Sequence, residues 1–167
     1  MSETTPASDA DNIIHLELKS GRVVIKLRPD LAPQHAERFR ALAAEGFYDN
    51  IAFHRVIDGF MAQSGDPTGT GSGGSKLPDL KSEFTNKAKF VRGTLGAART
   101  GNPHSANSQF FIMFAPAPSL DGQYSIFGEV TEGMELVDQI KRGAGGSGVV
   151  SDPDRIVTMR PASQTAT

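Results

Sequence analysis

Phe53-His54-Arg55-Val56-Ile57-Asp58-Gly59-Phe60-Met61-Ala62-Gln63 is the stretch that decides how the rest of the chain is read. Two short β-type runs, 52–57 and 60–64, flank Asp58-Gly59, a strong hairpin signal. Arg55 and Gln63 stand in the middle of otherwise apolar strands. A long polar group in that setting needs a partner, because burying it unpaired is costly. The register of the hairpin decides whether the two meet. A two-residue turn sets Arg55 opposite Ala62 and sends Gln63 to the other face. A three-residue turn, Asp58-Gly59-Phe60, sets Arg55 opposite Gln63 and Ile57 opposite Met61. Cross-strand partners share a face. Cooperation of Arg55, Met61 and Gln63 requires the second register, with Gly59 or its neighbour taking up an unusual φ.

Upstream, Ile14, Leu16 and Leu18 alternate with polar residues. After Ser20-Gly21 the alternation resumes at Val23, Ile25 and Leu27. This pattern predicts a hairpin with one buried face. Pro33 suits the first turn of a helix, Ala36, Phe39, Leu42 and Ala43 recur at helical spacing, and Gly46 supplies the stop. His35, Glu37, Arg38 and Arg40 are expected largely on the outer face of that helix. Residues 1–11 are polar and acidic without periodicity and read as a disordered tail.

Downstream, residues 65–78 are rich in Gly, Ser and Pro. Within them 69–74 matches G-x-G-x-x-G formally, and Gly74-Ser75-Lys76 is a near miss for a P-loop ending. No strand leads into the loop, and Pro78 would break the helix needed to hold a phosphate, so a surface loop is expected. Phe84 and Phe90 are expected as core anchors. Residues 93–98 read as a strand of small side chains that lets a ligand or neighbouring strand approach closely. In 109–114, Gln109, Phe111 and Met113 share one face and Phe110, Ile112 and Phe114 the other, so the strand is expected to be covered on both sides. A further strand is read at 124–130. A second helix carries Met134, Leu136, Val137 and Ile140, with Thr131 as N-cap and Gly143 at its end. A last strand is read at 155–159, and 161–167 as a loose tail.

Composition narrows the function classes. The 167 residues suffice for one domain with a core. Hydrophobic content is 38%, beside 18 glycines and 10 prolines, a mix that suits strands joined by many turns. Net charge is −2 and no basic run occurs, so nucleic-acid binding is not expected. There is no cysteine, hence no disulfide or thiol chemistry. The first dozen residues lack a cationic and an apolar segment, and no apolar run is long enough to span a membrane. A cytoplasmic monomer is the expectation. His15, His35, His54 and His104 are scattered without metal-ligand spacing, so no metal or other cofactor is expected. His54 reads as a satisfied structural histidine. Ser105 beside His104 lacks a nucleophile-elbow context, which argues against hydrolysis. About eight strands and two helices, with no internal repeat, predict a mainly β fold. The expected form is a closed antiparallel eight-stranded barrel with the helices over its open ends, spanning 12–160.

Three segments carry a family resemblance: 53–66, Ser108-Gln109-Phe110-Phe111-Ile112, and Ser119-Leu120-Asp121-Gly122-Gln123-Tyr124-Ser125-Ile126-Phe127-Gly128-Glu129-Val130. In order and spacing they resemble the cyclophilin family of peptidyl-prolyl isomerases, over roughly residues 13–160. The resemblance implies the barrel and the isomerisation of Xaa-Pro bonds, in proline-containing peptides and in unfolded or folding proteins. It places family site positions on Arg55, Phe60, Met61, Gln63, Ala98, Gln109, Phe111 and Leu120. Arg99 and Thr100 follow in a loop that looks bacterial. Arg55 and Gln63 are the implied catalytic pair; the others, with Tyr124, are the implied substrate-binding set. Ser119 stands where the best-known eukaryotic members commonly have Trp, and Tyr124 where they commonly have His. Weak binding of cyclosporin is expected from the missing indole. The rival reading is a non-catalytic proline-peptide binding module or holdase on the same barrel.

Overall fold

The computed structural model describes residues 12–70, 73–85, 87–143 and 148–165. The expected tail at 1–11 and two glycine-loop positions, Gly71 and Ser72, lie outside them. Eight strands form one antiparallel sheet: β1 (Ile13–Leu18), β2 (Gly21–Leu27), β3 (Arg55–Ile57), β4 (Met61–Ser64), β5 (Thr94–Ala97), β6 (Phe110–Met113), β7 (Ile126–Glu132) and β8 (Thr158–Pro161). Their order is β3-β4-β6-β5-β7-β2-β1-β8. Helix α1 (Pro33–Glu45) lies against β8 and β7, and a short turn of helix, α2 (Met134–Val137), against β2. The architecture is the expected one, but closure is looser than that of a closed barrel. The edge strands β3 and β8 do not pair. Instead the chain before and within β3 bonds to the irregular segment leading into β8, through Asn50 N–H to Ile156 O (2.7 Å), Phe53 N–H to Asp154 O (2.9 Å) and Val56 N–H to Gly148 O (2.8 Å).

The decisive hairpin adopts the three-residue turn. Arg55 faces Gln63, Val56 faces Ala62 and Ile57 faces Met61. Gly59 takes φ +76°, a conformation that costs a glycine little, and Phe60 N–H closes the turn on Ile57 O at 3.0 Å. Strand β6 divides its side chains as its alternation dictates. Phe110, Ile112 and Phe114 join the main core with Leu16, Ile25 and Leu95. Phe111 and Met113 join a second cluster with Met61, Phe90 and Ile126.

Helix α1 starts at Pro33 and ends at Gly46, φ +80°, with Gly46 N–H on Ala43 O and Phe47 N–H on Leu42 O. Its apolar face buries Ala36, Phe39, Leu42 and Ala43 as read from spacing. His35 corrects the expectation of an outer-face position. It is buried, and its Nδ1 meets Glu83 Oε1 at 2.5 Å. Phe90 is a core anchor, but Phe84 is exposed, because the segment around it runs over the surface beside Arg99. The second helix is a single turn capped by Gly133 at φ +87°, and Thr131 belongs to β7. The last strand begins at Thr158; Arg155 contributes only an isolated bridge to Ala52. In the C-terminal segment, Pro161 ends β8 and Ala162–Thr165 form one helical turn, α3. Among the described residues, no helix is long and apolar enough to cross a membrane.

Candidate active site

Strand pairing builds the site before any side chain is considered. Arg55 faces Gln63 on β4, Gln63 faces Phe111 on β6, and Phe111 faces Gly96 on β5. These four positions form one row across the sheet on a single face. The next row is Ile57, Met61 and Met113. At the end of the first row, Gly96 is small for a steric reason. A Cβ there would stand 2.5 Å from Phe111 Cζ and 2.7 Å from Phe90 Cε1. The close approach expected for the strand of small residues is therefore made by two rings. Phe90 and Phe111 stack at 5.6 Å between centroids, and Tyr124 meets Phe111 edge-on at 5.5 Å.

The other walls come from loops with fixed geometry. The 3-10 turn Pro118–Leu120 presents Leu120, held by Leu120 N–H to Ala117 O (3.0 Å). Phe90 N–H to Asp121 Oδ1 (2.7 Å) ties that turn to the aromatic stack. Arg99 lays its guanidinium 4.7 Å from the Tyr124 ring centre and 5.6 Å from that of Phe84. Its N–H groups donate to the carbonyls of Gln123 (2.9 Å) and Thr100 (2.8 Å).

These parts enclose a cavity of about 170 Å³ lined by Arg55, Phe60, Met61, Gln63, Ala98, Arg99, Phe111, Leu120 and Tyr124. Nine of the eleven site residues read from sequence meet there. Two of the lining residues are cationic and none is acidic. The remaining two, Thr100 and Gln109, line an adjoining polar cavity of about 710 Å³, which shares Gln63, Ala98 and Arg99 with the first. Sequence reasoning gave no role to Asp79, Asn102, Ser105 and Asn107, which also line it. These four lie in stretches without periodicity, where no pattern marks which side chain turns inward.

A polar relay runs behind the small cavity. Arg55 Nη1 donates to Gln63 Oε1 at 3.4 Å, Gln63 Nε2 to Gln109 Oε1 at 2.9 Å, and Gln109 Nε2 to Gly73 O at 2.9 Å. Ser108, next to Gln109, is anchored by Tyr48 Oη–H on its carbonyl (2.9 Å) and by its own hydroxyl on Gly65 O (2.7 Å). The relay holds the guanidinium beside Phe60, Met61, Phe111 and Leu120 in the wall of the small cavity. His54 is buried as expected but is not satisfied. Neither ring nitrogen has a hydrogen-bond partner among the described residues. Burial pushes its pKa below the ordinary histidine value. The arrangement offers a cation, a flat apolar wall and a set of amide groups, and suits binding a small ring next to a polar backbone.

The family model for cyclophilin-type peptidyl-prolyl cis-trans isomerase matches residues 13–161. A probable peptidyl-prolyl cis-trans isomerase of Brucella suis is 50% identical over 167 residues, covering 93% of this chain and 85% of the relative. A cyclophilin-type isomerase of Cryptosporidium parvum, crystallised in the presence of the dipeptide Ala-Pro, is similar with a TM-score of 0.81 and 31% identity. That match covers 89% of this chain and 98% of the other. A cyclophilin from Hirschia baltica is similar with a TM-score of 0.83 and 25% identity, covering 98% of this chain and 82% of the other.

Proposed function

The chain belongs to the cyclophilin-type peptidyl-prolyl cis-trans isomerases, and from that premise we propose that Arg55, positioned by Gln63, is the group that lowers the barrier to Xaa-Pro rotation. The enzyme interconverts the cis and trans forms of Xaa-Pro bonds. The observation that carries the assignment is the placement of Arg55 in one cavity with the apolar side chains of Phe60, Met61, Phe111 and Leu120, held by an amide relay.

Amide resonance sets a rotation barrier of about 18–20 kcal/mol. A barrier of about 20 kcal/mol corresponds to a rate of order 0.01 per second, and a turnover of about 10 per second requires about 4 kcal/mol of transition-state stabilisation. That demand needs no nucleophile. In the twisted transition state the proline nitrogen regains its lone pair and becomes a better acceptor. A guanidinium hydrogen bond to it forms mainly there, so it accelerates rather than merely binds. A hydrogen bond to a charged group contributes about 1.5–3 kcal/mol, roughly 40–75% of the requirement. The remainder falls to Phe60, Met61, Phe111 and Leu120, which hold the proline ring in a dry pocket where electrostatics are stronger. Gln109 and the backbone near Ala98, Arg99 and Thr100 hold the flanking chain.

Proline-containing peptides are the substrate class, and the Ala-Pro dipeptide present with the Cryptosporidium relative supports this. Folding proteins with slow Xaa-Pro steps are the proposed clients, because uncatalysed isomerisation takes tens to hundreds of seconds. Weak cyclosporin binding is part of the proposal, since the exposed Ser119 offers neither an indole donor nor a flat wall. Exchange between cis and trans forms of a short Xaa-Pro peptide, followed by NMR, tests the assignment. Arg55→Ala is expected to lose about 10- to 100-fold in exchange rate with peptide still bound. Binding without acceleration by the wild-type chain would overturn the catalytic reading and leave a proline-peptide binding module.

A further inference from the structure

The groove around Arg55 continues past the proline pocket. A second cavity of about 650 Å³ opens between the 66–70 loop and the 149–155 segment. Arg55 and Gln63 line both cavities. A peptide with its proline ring in the first pocket therefore has a path along Arg55 into the second.

The charge balance of the second cavity is positive. Its ionisable lining residues are His54, Arg55, Asp66 and Arg155. Asp66 is fully buried, and its carboxylate is occupied by Thr68 N–H (2.8 Å), the Thr68 hydroxyl (2.7 Å) and Thr70 N–H (3.1 Å). It shapes the loop, and its single charge still leaves the two guanidinium groups of the lining in excess. Arg155 is exposed, and its Nη1 donates to Asn50 O at 2.9 Å. That uses one of its five N–H groups. Among the described residues Arg155 has no carboxylate partner, whereas Arg28, Arg92, Arg142 and Arg160 all do. His54 is 8% exposed and lines the same cavity with both ring nitrogens unpartnered.

We propose that this cavity is a specificity subsite for an acidic side chain, Asp or Glu, borne by a residue within two positions of the substrate proline, with Arg155 as the recognising cation. The proposal rests on the isomerase reading and names the substrate class that the site favours. The unoccupied donors of Arg155 match a carboxylate in a planar fork. An acidic residue there gains interaction with Arg155, whose guanidinium has no carboxylate partner among the described residues.

The test compares isosteric peptide pairs, Glu against Gln, placed in turn at each of the two positions on either side of the proline. The readout is the ratio of kcat/KM within each pair at low salt, for wild type, Arg155→Gln and Arg155→Lys. Both peptides of a pair meet the same protein sample, so partial unfolding of a variant cancels in the ratio. The wild type is expected to favour Glu about two- to fivefold at one position, the range of a partly exposed ion pair. The ratio is expected to shrink as salt rises, to fall to near one in Arg155→Gln, and to persist in Arg155→Lys. Equal turnover of Glu and Gln peptides at every position in the wild type would overturn the subsite, as would a preference unchanged in Arg155→Gln. Failure to accelerate any peptide would overturn the isomerase reading itself.

Discussion

Gly96→Ala probes the link between the barrel and the proline pocket with the smallest available change. The added methyl would stand 2.5 Å from Phe111 Cζ and 2.7 Å from Phe90 Cε1, where ordinary contact begins at 3.4 Å. Phe111 must therefore retreat by about 0.9 Å, the difference between 3.4 and 2.5 Å. It has little room, because it is buried, stacked on Phe90 and braced edge-on by Tyr124. Overpacking of this kind costs about 1–3 kcal/mol. The displaced ring is a wall of the proposed proline pocket, and misplacements near 1 Å at a reacting centre cost up to about 100-fold in rate. Urea unfolding and NMR-detected exchange on the same protein separate the two effects. Gly59→Ala is the comparison. Its Cβ meets nothing within 4 Å, but its φ of +76° makes an L side chain unfavourable by about 1–2 kcal/mol. Both variants are expected to be less stable, with the larger loss of kcat/KM in Gly96→Ala. Adding Phe111→Leu should recover part of the lost stability by vacating the space the methyl needs. A Gly96→Ala protein with stability and kcat/KM both within error of the wild type would refute the reasoning.

Two further outcomes follow from the same geometry. Removing Arg99 by Arg99→Ala takes away the plate lying over Tyr124 and opens the side of the pocket toward the larger cavity; the effect is expected as a rise of a few-fold in KM with kcat little changed, matching about 0.5–1 kcal/mol of cation–π contact. Burial holds His35 and His54 below the ordinary histidine value of about 6.5, against the pull of Glu83 on the first and Asp66 on the second. The unfolded chain therefore binds more protons just below that value, so their contribution to stability is full above about pH 6.5 and lost as pH falls through the native values. Urea midpoints at about pH 7.5 and 5.5 should show the decline, and His54→Phe should make it shallower; an unchanged slope in the variant would remove His54 from the account.

What the sequence disclosed, and what it withheld, divides along the range of the interactions. The three-residue turn at 58–60 was legible because register follows from which polar residues must meet, and Arg55 with Gln63 allows only one answer. The two faces of 109–114 were legible because a strand has period two. Both are local rules. Closure of the sheet was misjudged because it depends on residues 50–56 meeting 148–156, a segment without alternation that bonds through its backbone. The same distance in sequence hides Phe84, an aromatic read as core whose place is beside Arg99 on the surface. His35 failed for a related reason. On the helix it sits next to the apolar stripe, and only Glu83, 48 residues away, makes its burial tolerable. The site shows both kinds of information at once. The row of Arg55, Gln63 and Phe111 is written in one hairpin and one strand, so a sequence motif finds it. Side chains such as Arg155 and Asn107 reach the groove from loops, and only the folded chain brings them there. A short-range pattern can therefore mark the row that lines the cavity, while the rest of the groove wall depends on contacts between segments far apart in sequence.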